Sequence, residues 1–284
     1  MIEASHPNGH FYSPVTDPRE LAGRVGQLWP QQTEVLGVDF NDAMHGHVLR
    51  EIFPRHIGAY DYPDELPETS GAAQFFSTNG QFEWFDACTL FVFLREWRPK
   101  RLIEVGCGFS SLLIADVNRR YFSGSLDVTC VEPYPRPFLT AGVPGISRLV
   151  QAKVQDVPLA TFGALESGDI LFIDSSHVAK TGSDVNFLYF EVIPRLRPGV
   201  RIHIHDIFLP QEYPKEWVLS ENRSWNEQYL LRALLMFNSQ FQVLFGTAYA
   251  YWRWPELVDR AMAVAGHRSL LGGSMWIQRA SVSG

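Results

Sequence analysis

The sequence predicts a doubly wound α/β fold on a largely parallel sheet. Three observations predict it. Short apolar runs alternate with helical stretches from residue 101 onward, the runs have strand length, and every cluster of reactive residues falls where such a run ends. The chain of 284 residues is one large domain or one domain with a cap, long enough to bury a core without staples.

Residues 1–80 read as irregular, with scattered Pro and Gly and one helix over 42–53. Ser77, Thr78, Asn79 and Gly80 form a start signal. Phe82, Phe85, Leu90, Phe93, Leu94 and Trp97 then give 82–97 a helical apolar face, and Pro99 follows its end. Residues 101–105 are a buried strand, 106–111 a tight turn and 112–121 a helix. Strands follow at 127–131, 149–152 and 169–173, then a helix at 184–196 that ends at Arg197, Pro198 and Gly199. A fifth strand at 200–204, a helix at 225–238 and strands at 241–245 and 274–278 complete the order. Right-handed crossovers place the strand carboxyl ends, and so the ligand crevice, on one edge. The chain divides into a segment, 1–80, that covers the site and a domain, 81–284.

Composition narrows the function. The chain is 46% hydrophobic and 19% charged, as in ordinary globular proteins. A net charge of −7 argues against nucleic acid as the main partner. No apolar run approaches membrane-spanning length, and residues 1–14 lack a signal-peptide pattern. Cys88, Cys107 and Cys130 have no paired spacing and read as reduced and buried, so the expected compartment is the cytoplasm. Aromatic residues make up 13% of the chain, which fits aromatic-lined pockets or simply a large aromatic core.

The first reactive cluster is Leu102–Ser111. The chain leaves a strand and turns sharply into a helix; Gly106 and Gly108 permit positive φ and a close ligand approach, and the helix start offers free N–H groups. Ser110 and Ser111 add hydroxyl donors. Glu132, ending the second strand, suits two hydrogen bonds from ribose hydroxyls. A nicotinamide dinucleotide fits the same features but wants a third Gly where Ser111 stands, and has no need of Glu104.

Glu104-Val105-Gly106-Cys107-Gly108 resembles motif I of the class I S-adenosylmethionine-dependent methyltransferases, and Glu132 is similar to their ribose-binding acid. The resemblance covers roughly residues 80–280 and implies a Rossmann-like sheet of seven strands whose last strand runs antiparallel, plus an N-terminal cap. It implies an enzyme that moves a methyl group from S-adenosylmethionine to a small polar acceptor, with Glu104, Gly106, Gly108, Ser110, Ser111, Glu132 and Asp174 at the cofactor. Ser110 departs from the pattern, since many relatives carry Gly there. Asp156, beside Gln155, is implied to lie near the adenine; a helix-capping Asp is the equal alternative.

The second group lies at the next strand ends: Asp174-Ser175-Ser176-His177 and His203-Ile204-His205-Asp206. Period-two geometry puts His203 and His205 on one face, with His203 nearer mid-strand and read as core. Because these strands are neighbours in such a fold, Asp174, His177, His205 and Asp206 should converge. Two chemistries fit. In one, Asp174, His205 and Asp206 hold a divalent metal that acidifies an acceptor hydroxyl. This resembles the metal-dependent O-methyltransferases of catechols and macrolide sugars, but His205 stands where they often carry an acid. Magnesium prefers oxygen, so the mixed set suits manganese, iron or zinc better. In the other, His177 or His205 is a general base oriented by a carboxylate, which would serve an amine equally well. Asp174, His177 and His205 are therefore the candidate catalytic residues.

The segments DSSH and HDIFLP with YPKEW resemble a bacterial branch of this superfamily near the sugar and small-molecule O-methyltransferases. The long aromatic loop 207–223 reads as a lid over the acceptor. Residues 225–229 read either as polar contacts or as a helix start. Residues 8–12 and 75–84 cover the cofactor, complete the acceptor pocket, or make a homodimer contact. The competing readings are a nicotinamide-dependent oxidoreductase and a non-catalytic nucleoside-binding protein.

Overall fold

The computed structural model describes residues 4–31, 33–66, 73–265 and 272–280. Strands β1 (Arg101–Val105), β2 (Asp127–Val131), β3 (Arg148–Val150), β4 (Ile170–Ile173) and β5 (Arg201–Ile204) pair in parallel. β7 (Met275–Arg279) runs antiparallel to both β5 and β6 (Phe241–Gly246). The sheet order is β3-β2-β1-β4-β5-β7-β6. This is the expected seven-stranded, mostly parallel arrangement. The order reverses between β1 and β4, so the crevice lies outside their carboxyl ends.

Side-chain alternation divides the core into two layers. Leu102, Val128, Cys130, Ile170, Phe172, Phe245 and Trp276 face one layer. Ile103, Val105, Val131, Leu171, Ile173, Ile202, Ile204 and Ile277 face the other.

Helix α1 (Asp42–His47) is capped by Asn41, whose side chain accepts from the Met44 amide. Helix α2 (Trp84–Trp97) starts two residues later than the pattern 82–97 and is buried from Trp84 to Leu94. A helix apolar all round must be enclosed, and α2 lies in the first core layer with α3 (Phe109–Phe122). On the other side of the sheet lies α4 (Asp184–Phe187). The helix expected at 225–238 is α5 (Glu227–Leu235), and α6 (Thr247–Arg253) follows β6.

Two expected helices change pitch. The stretch 42–53 continues past α1 as a π-helix, Val48–Ile52, and 184–196 passes from α4 into a π-helix, Leu188–Val192, and a 3-10 turn. Each widened turn runs up to a proline, Pro54 or Pro194. A proline has no N–H for the carbonyl four residues back, and its ring presses on that carbonyl; widening the turn relieves both effects.

The segment before residue 80 packs on the β6 edge and on the loop after β5. Asn41 Nδ2 donates to the Val243 carbonyl at 3.0 Å, and the Gly246 amide donates to His45 Nε2 at 2.8 Å. Trp29 Nε1 donates to the Tyr213 carbonyl at 2.8 Å, and the Thr16 amide to Ser224 Oγ at 3.3 Å. The three cysteines are free and buried, as expected. Among the described residues no helix is long and apolar enough to cross a membrane.

Candidate active site

The turn after β1 meets the end of β4. Gly106 has φ +81°, and a Cβ there would lie 1.7 Å from the Asp174 carbonyl oxygen, so only glycine fits. Its amide donates to the Val131 carbonyl at 3.0 Å, and the Asp174 amide donates to the Val105 carbonyl at 2.9 Å. The expectation of positive φ at both glycines holds at Gly106 alone. Gly108 has φ −161° and ψ −127°, outside the left-handed region, and a Cβ there would meet only Gln81 Oε1 at 4.0 Å.

Glu104 is fully buried and knots this turn together. Ser110 Oγ donates to its Oε1 at 2.5 Å, Ser111 Oγ to its Oε2 at 2.6 Å, and Cys130 Sγ approaches Oε2 at 3.5 Å. Ser111 Oγ also accepts from the Gly108 amide. The two serine hydroxyls therefore point at Glu104, and burial raises that carboxyl to about 7. Glu132 is placed differently. Its oxygens accept from the Cys107 and Tyr134 amides at 3.1 and 2.8 Å, and it remains open to the crevice.

Two cavities occupy the crevice, of about 720 and 550 Å³, in the range of small-ligand sites. Gly106, Glu132, Tyr134, Asp174, Ser175 and Ser176 line both. The larger one also takes Gly108, Ser110, His177, His205 and Asp206 into its wall. The smaller takes Lys153, Val154 and Gln155. Asp156 is exposed at the end of a 3-10 turn and is not among the lining residues. Gly80, Gln81 and Phe82 reach the larger cavity, whereas Phe11 and Tyr12 are exposed away from it. From the loop after β5, Trp217 and Arg223 join Trp225 in the wall; the Arg223 guanidinium lies 4.2 Å and 4.8 Å from the two indole rings.

At the ends of β4 and β5 the four expected residues converge. His177 Nε2 lies 3.4 Å from Asp174 Oδ1 and 3.3 Å from Asp206 Oδ2. His205 Nδ1 lies 3.3 Å from the same Asp174 oxygen and 3.7 Å from Asp206 Oδ1. Ligand atoms of Asp174, His177 and Asp206 all fall within 4.8 Å of one another. His177 and Asp206 have φ +59° and +56°, left-handed values that cost a non-glycine residue about 1 kcal/mol each.

Each histidine is backed by a buried carboxylate: Asp86, which the sequence reading missed, and Glu227, which lies in the stretch 225–229 read either as polar contacts or as a helix start. Glu227, at the start of α5, places Oε2 2.9 Å from His177 Nδ1. The Asn226 and Glu227 amides also donate to the His177 carbonyl. Asp86, in the first turn of α2, places Oδ2 3.3 Å from His205 Nε2. Asp86 also accepts from the Gly273 and Ser274 amides at 2.8 and 3.0 Å and from Thr247 Oγ1 at 2.7 Å. The amino end of β7 thus reaches the crevice. The signal for Asp86 was its place as the one charge in an apolar run, 84–94.

Charge follows this geometry. Burial works to lower His177, but Asp174, Glu227 and Asp206 hold it up at about 10. Burial likewise opposes the charge on His205, and the fields of Asp174 and Asp206 push it well above the usual imidazole value. Burial would raise Asp174, yet His205 and His177 bring it below the usual carboxylate range. Asp206 and Glu227 are raised, chiefly by burial. His203, two residues before His205, behaves as the expected core residue. It stacks on Phe172 at 3.8 Å, pairs with Ser274 Oγ at 2.8 Å, and is held neutral by burial.

Residues 103–207 match the model of a family described as a methyltransferase domain. The chain is 37% identical over 168 residues to an uncharacterised protein of Archaeoglobus fulgidus, spanning 58% of this chain and 75% of that one. Similar solved structures include a DUF574 family protein from Streptomyces avermitilis, 16% identical with a TM-score of 0.42, covering 69% of this chain and 80% of that one. Another is a protein assigned as an O-methyltransferase from Klebsiella pneumoniae, 16% identical with a TM-score of 0.40, covering 85% and 91%.

Proposed function

We propose that the chain, whose residues 103–207 match a methyltransferase domain, is a class I S-adenosylmethionine-dependent methyltransferase that methylates a hydroxyl of a small polar acceptor held against Asp174, His177, His205 and Asp206. One observation carries this reading: the acid–histidine cluster shares a continuous wall with the Gly106–Glu132 turn. A methyl donor and an acceptor oxygen placed in the two parts of that wall would be neighbours.

The residues present fit the cofactor. Glu132 keeps two carboxylate oxygens toward the crevice, each with one backbone donor and spare acceptor capacity for ribose hydroxyls. Gly106 and Gly108 leave the turn bare, and Ser110 and Asp174 complete its wall. Glu104 and Ser111 act from behind, by holding the turn in shape. Gln155, rather than Asp156, is the better candidate beside the adenine. S-adenosylmethionine, when bound, supplies an electrophilic methyl group.

What remains for the protein is to hold the acceptor in line, exclude water and take up its proton. Trp217 and Trp225 supply an apolar wall for exclusion. His177, held up at about 10, carries its proton at neutral pH and is a poor general base as it stands. In the metal-assisted form of the reading, Asp174, His205 and Asp206 hold a divalent ion that would acidify the hydroxyl; in the metal-free form, His177 or His205 takes up the proton.

The test is calorimetry of S-adenosylmethionine and S-adenosylhomocysteine with the metal-stripped protein. Micromolar binding is expected, weakened at least tenfold by Glu132→Ala and little changed by Asp174→Asn. No binding of either ligand to the wild-type protein sinks the proposal.

A further inference from the structure

We propose that a cavity behind the loop after β5 is a second small-molecule site, and that it takes an uncharged aromatic compound with one hydroxyl or carbonyl group for Thr33. The site stands whether or not the crevice holds S-adenosylmethionine.

Place comes first. The cavity, of about 470 Å³, is walled chiefly by residues 28–33 of the N-terminal segment, residues 208–214 of the loop after β5, and α6. Its volume is in the range of small-ligand sites. Among the described residues it shares no wall residue with either crevice cavity. The partition between them is thin all the same. Phe208, in its wall, stands edge-on to Trp217, in the crevice wall, with ring centres 5.2 Å apart. Gly272, also in its wall, packs on the groups behind His205: a Cβ there would lie 2.7 Å from Asp86 Oδ1 and 2.5 Å from Thr247 Oγ1.

Shape comes second. Four aromatic side chains, Trp29, Phe208, Tyr251 and Trp252, and three prolines line the cavity. Flat apolar walls of this kind give a planar ring more contact than a branched chain. Trp29 Nε1 donates to the Tyr213 carbonyl, so this indole has no N–H left for a ligand and presents its apolar body.

Charge comes third. Glu212 is the one carboxylate in the wall, and among the described residues no Lys, Arg or His lines it. An anion would meet no counter-charge there. A cation would have to compete for a carboxylate that already accepts from the Tyr229 hydroxyl at 2.5 Å. An unpaired charge against apolar walls is costly, so the ligand is uncharged.

Hydrogen bonding comes last. Thr33 lines the cavity, and its Oγ1 is buried with no hydrogen-bond partner among the described residues. Buried hydroxyls are seldom left so. A threonine hydroxyl both donates and accepts, and a turn about χ1 brings it to the cavity, so a ligand hydroxyl or carbonyl would supply the missing partner.

Equilibrium dialysis of naphthalene and 2-naphthol against the full-length protein tests the proposal. One equivalent of each should bind, with dissociation constants on the order of 100 µM, and 2-naphthol should bind about 3- to 10-fold more tightly. Ala248→Leu, which fills the cavity, should weaken both at least tenfold, and Tyr251→Ala, at the more exposed rim, about 3- to 10-fold. Thr33→Val should remove the advantage of 2-naphthol and leave naphthalene unchanged, a split that a general loosening of the fold would not produce. Trp225→Ala, in the crevice wall, should change neither. Benzyltrimethylammonium, aromatic but cationic, should bind at least tenfold more weakly than 2-naphthol. Far-UV circular dichroism identifies any variant that fails to fold; Thr33→Val then carries the test. The proposal is overturned if neither naphthalene nor 2-naphthol binds the wild-type protein, or if Trp225→Ala weakens binding and Ala248→Leu does not. Tighter binding of the ammonium compound, or unchanged 2-naphthol affinity in Thr33→Val, overturns it as well.

Discussion

The two halves of the crevice are built on opposite plans. At the β1–β2 end, polar groups are satisfied inside the protein: Glu104 by Ser110 and Ser111, the Gly108 amide by Ser111, and the Cys107 amide by Glu132. Its sharpest backbone bend falls on a glycine. At the β4–β5 end, charge faces charge at distances too long for good hydrogen bonds, and the bends fall on His177 and Asp206. The first plan leaves its buried polar groups hydrogen-bonded within the protein. The second leaves charged groups facing one another at 3.3–3.7 Å. His203 and His205 show how sharply the plan changes: two residues apart, burial pushes the first imidazole down, while Asp174 and Asp206 outweigh burial and push the second up.

Three experiments would break or sharpen this contrast. The largest effect is expected from Gly106→Ala, where the new Cβ meets the Asp174 carbonyl and φ is positive. A loss of at least about 3 kcal/mol in urea denaturation should follow, with weaker cofactor binding because Asp174 must shift. A loss below about 1 kcal/mol would mean the turn is not the rigid element described.

The next largest concerns Glu104. Its folded value, about 7, stands above the ordinary 4.5. A raised value means that its contribution to stability is fully present below pH 4.5 and fades as pH rises through 7, by about 3 kcal/mol in all. Asp174, lowered in the folded state, has the opposite sign: its contribution is present above pH 3.8 and is lost as pH falls through its folded value. The stability difference between wild type and Glu104→Gln, followed from pH 4.5 to 8 on metal-free protein, should therefore slope against the wild type. A flat difference would place the Glu104 carboxyl in contact with water.

The smallest is Gly108→Ala. With φ outside the left-handed region and open space around it, stability should fall by no more than about 1 kcal/mol, so a larger loss of cofactor affinity would report contact rather than folding.

Much of this was legible in the sequence, for a physical reason. Strand-length apolar runs and the glycine turn are local patterns, and reactive residues at strand ends converge once the topology is known. Asp174, His177, His205 and Asp206 were readable in that way. Asp86 was not, and Glu227 was read only within 225–229 as polar contacts or a helix start, because their partners lie 119 and 50 residues away. An acid in the first turn of a helix already has an ordinary explanation, since it complements the helix dipole. The pitch changes at 48–52 and 188–192 escaped because apolar periodicity hardly distinguishes a π turn from an α turn.

The reversed last strand has a consequence of polarity. Each parallel strand reaches the crevice with its carbonyl end leading. β7 reaches it with its amide end, and the Gly273 and Ser274 amides steady Asp86 behind His205. Turned the other way, the same strand would bury the same side chains in the core and still deprive that acid of its donors. Direction along the chain, more than the side chains of residues 273 and 274, supplies the two amides that stand behind Asp86.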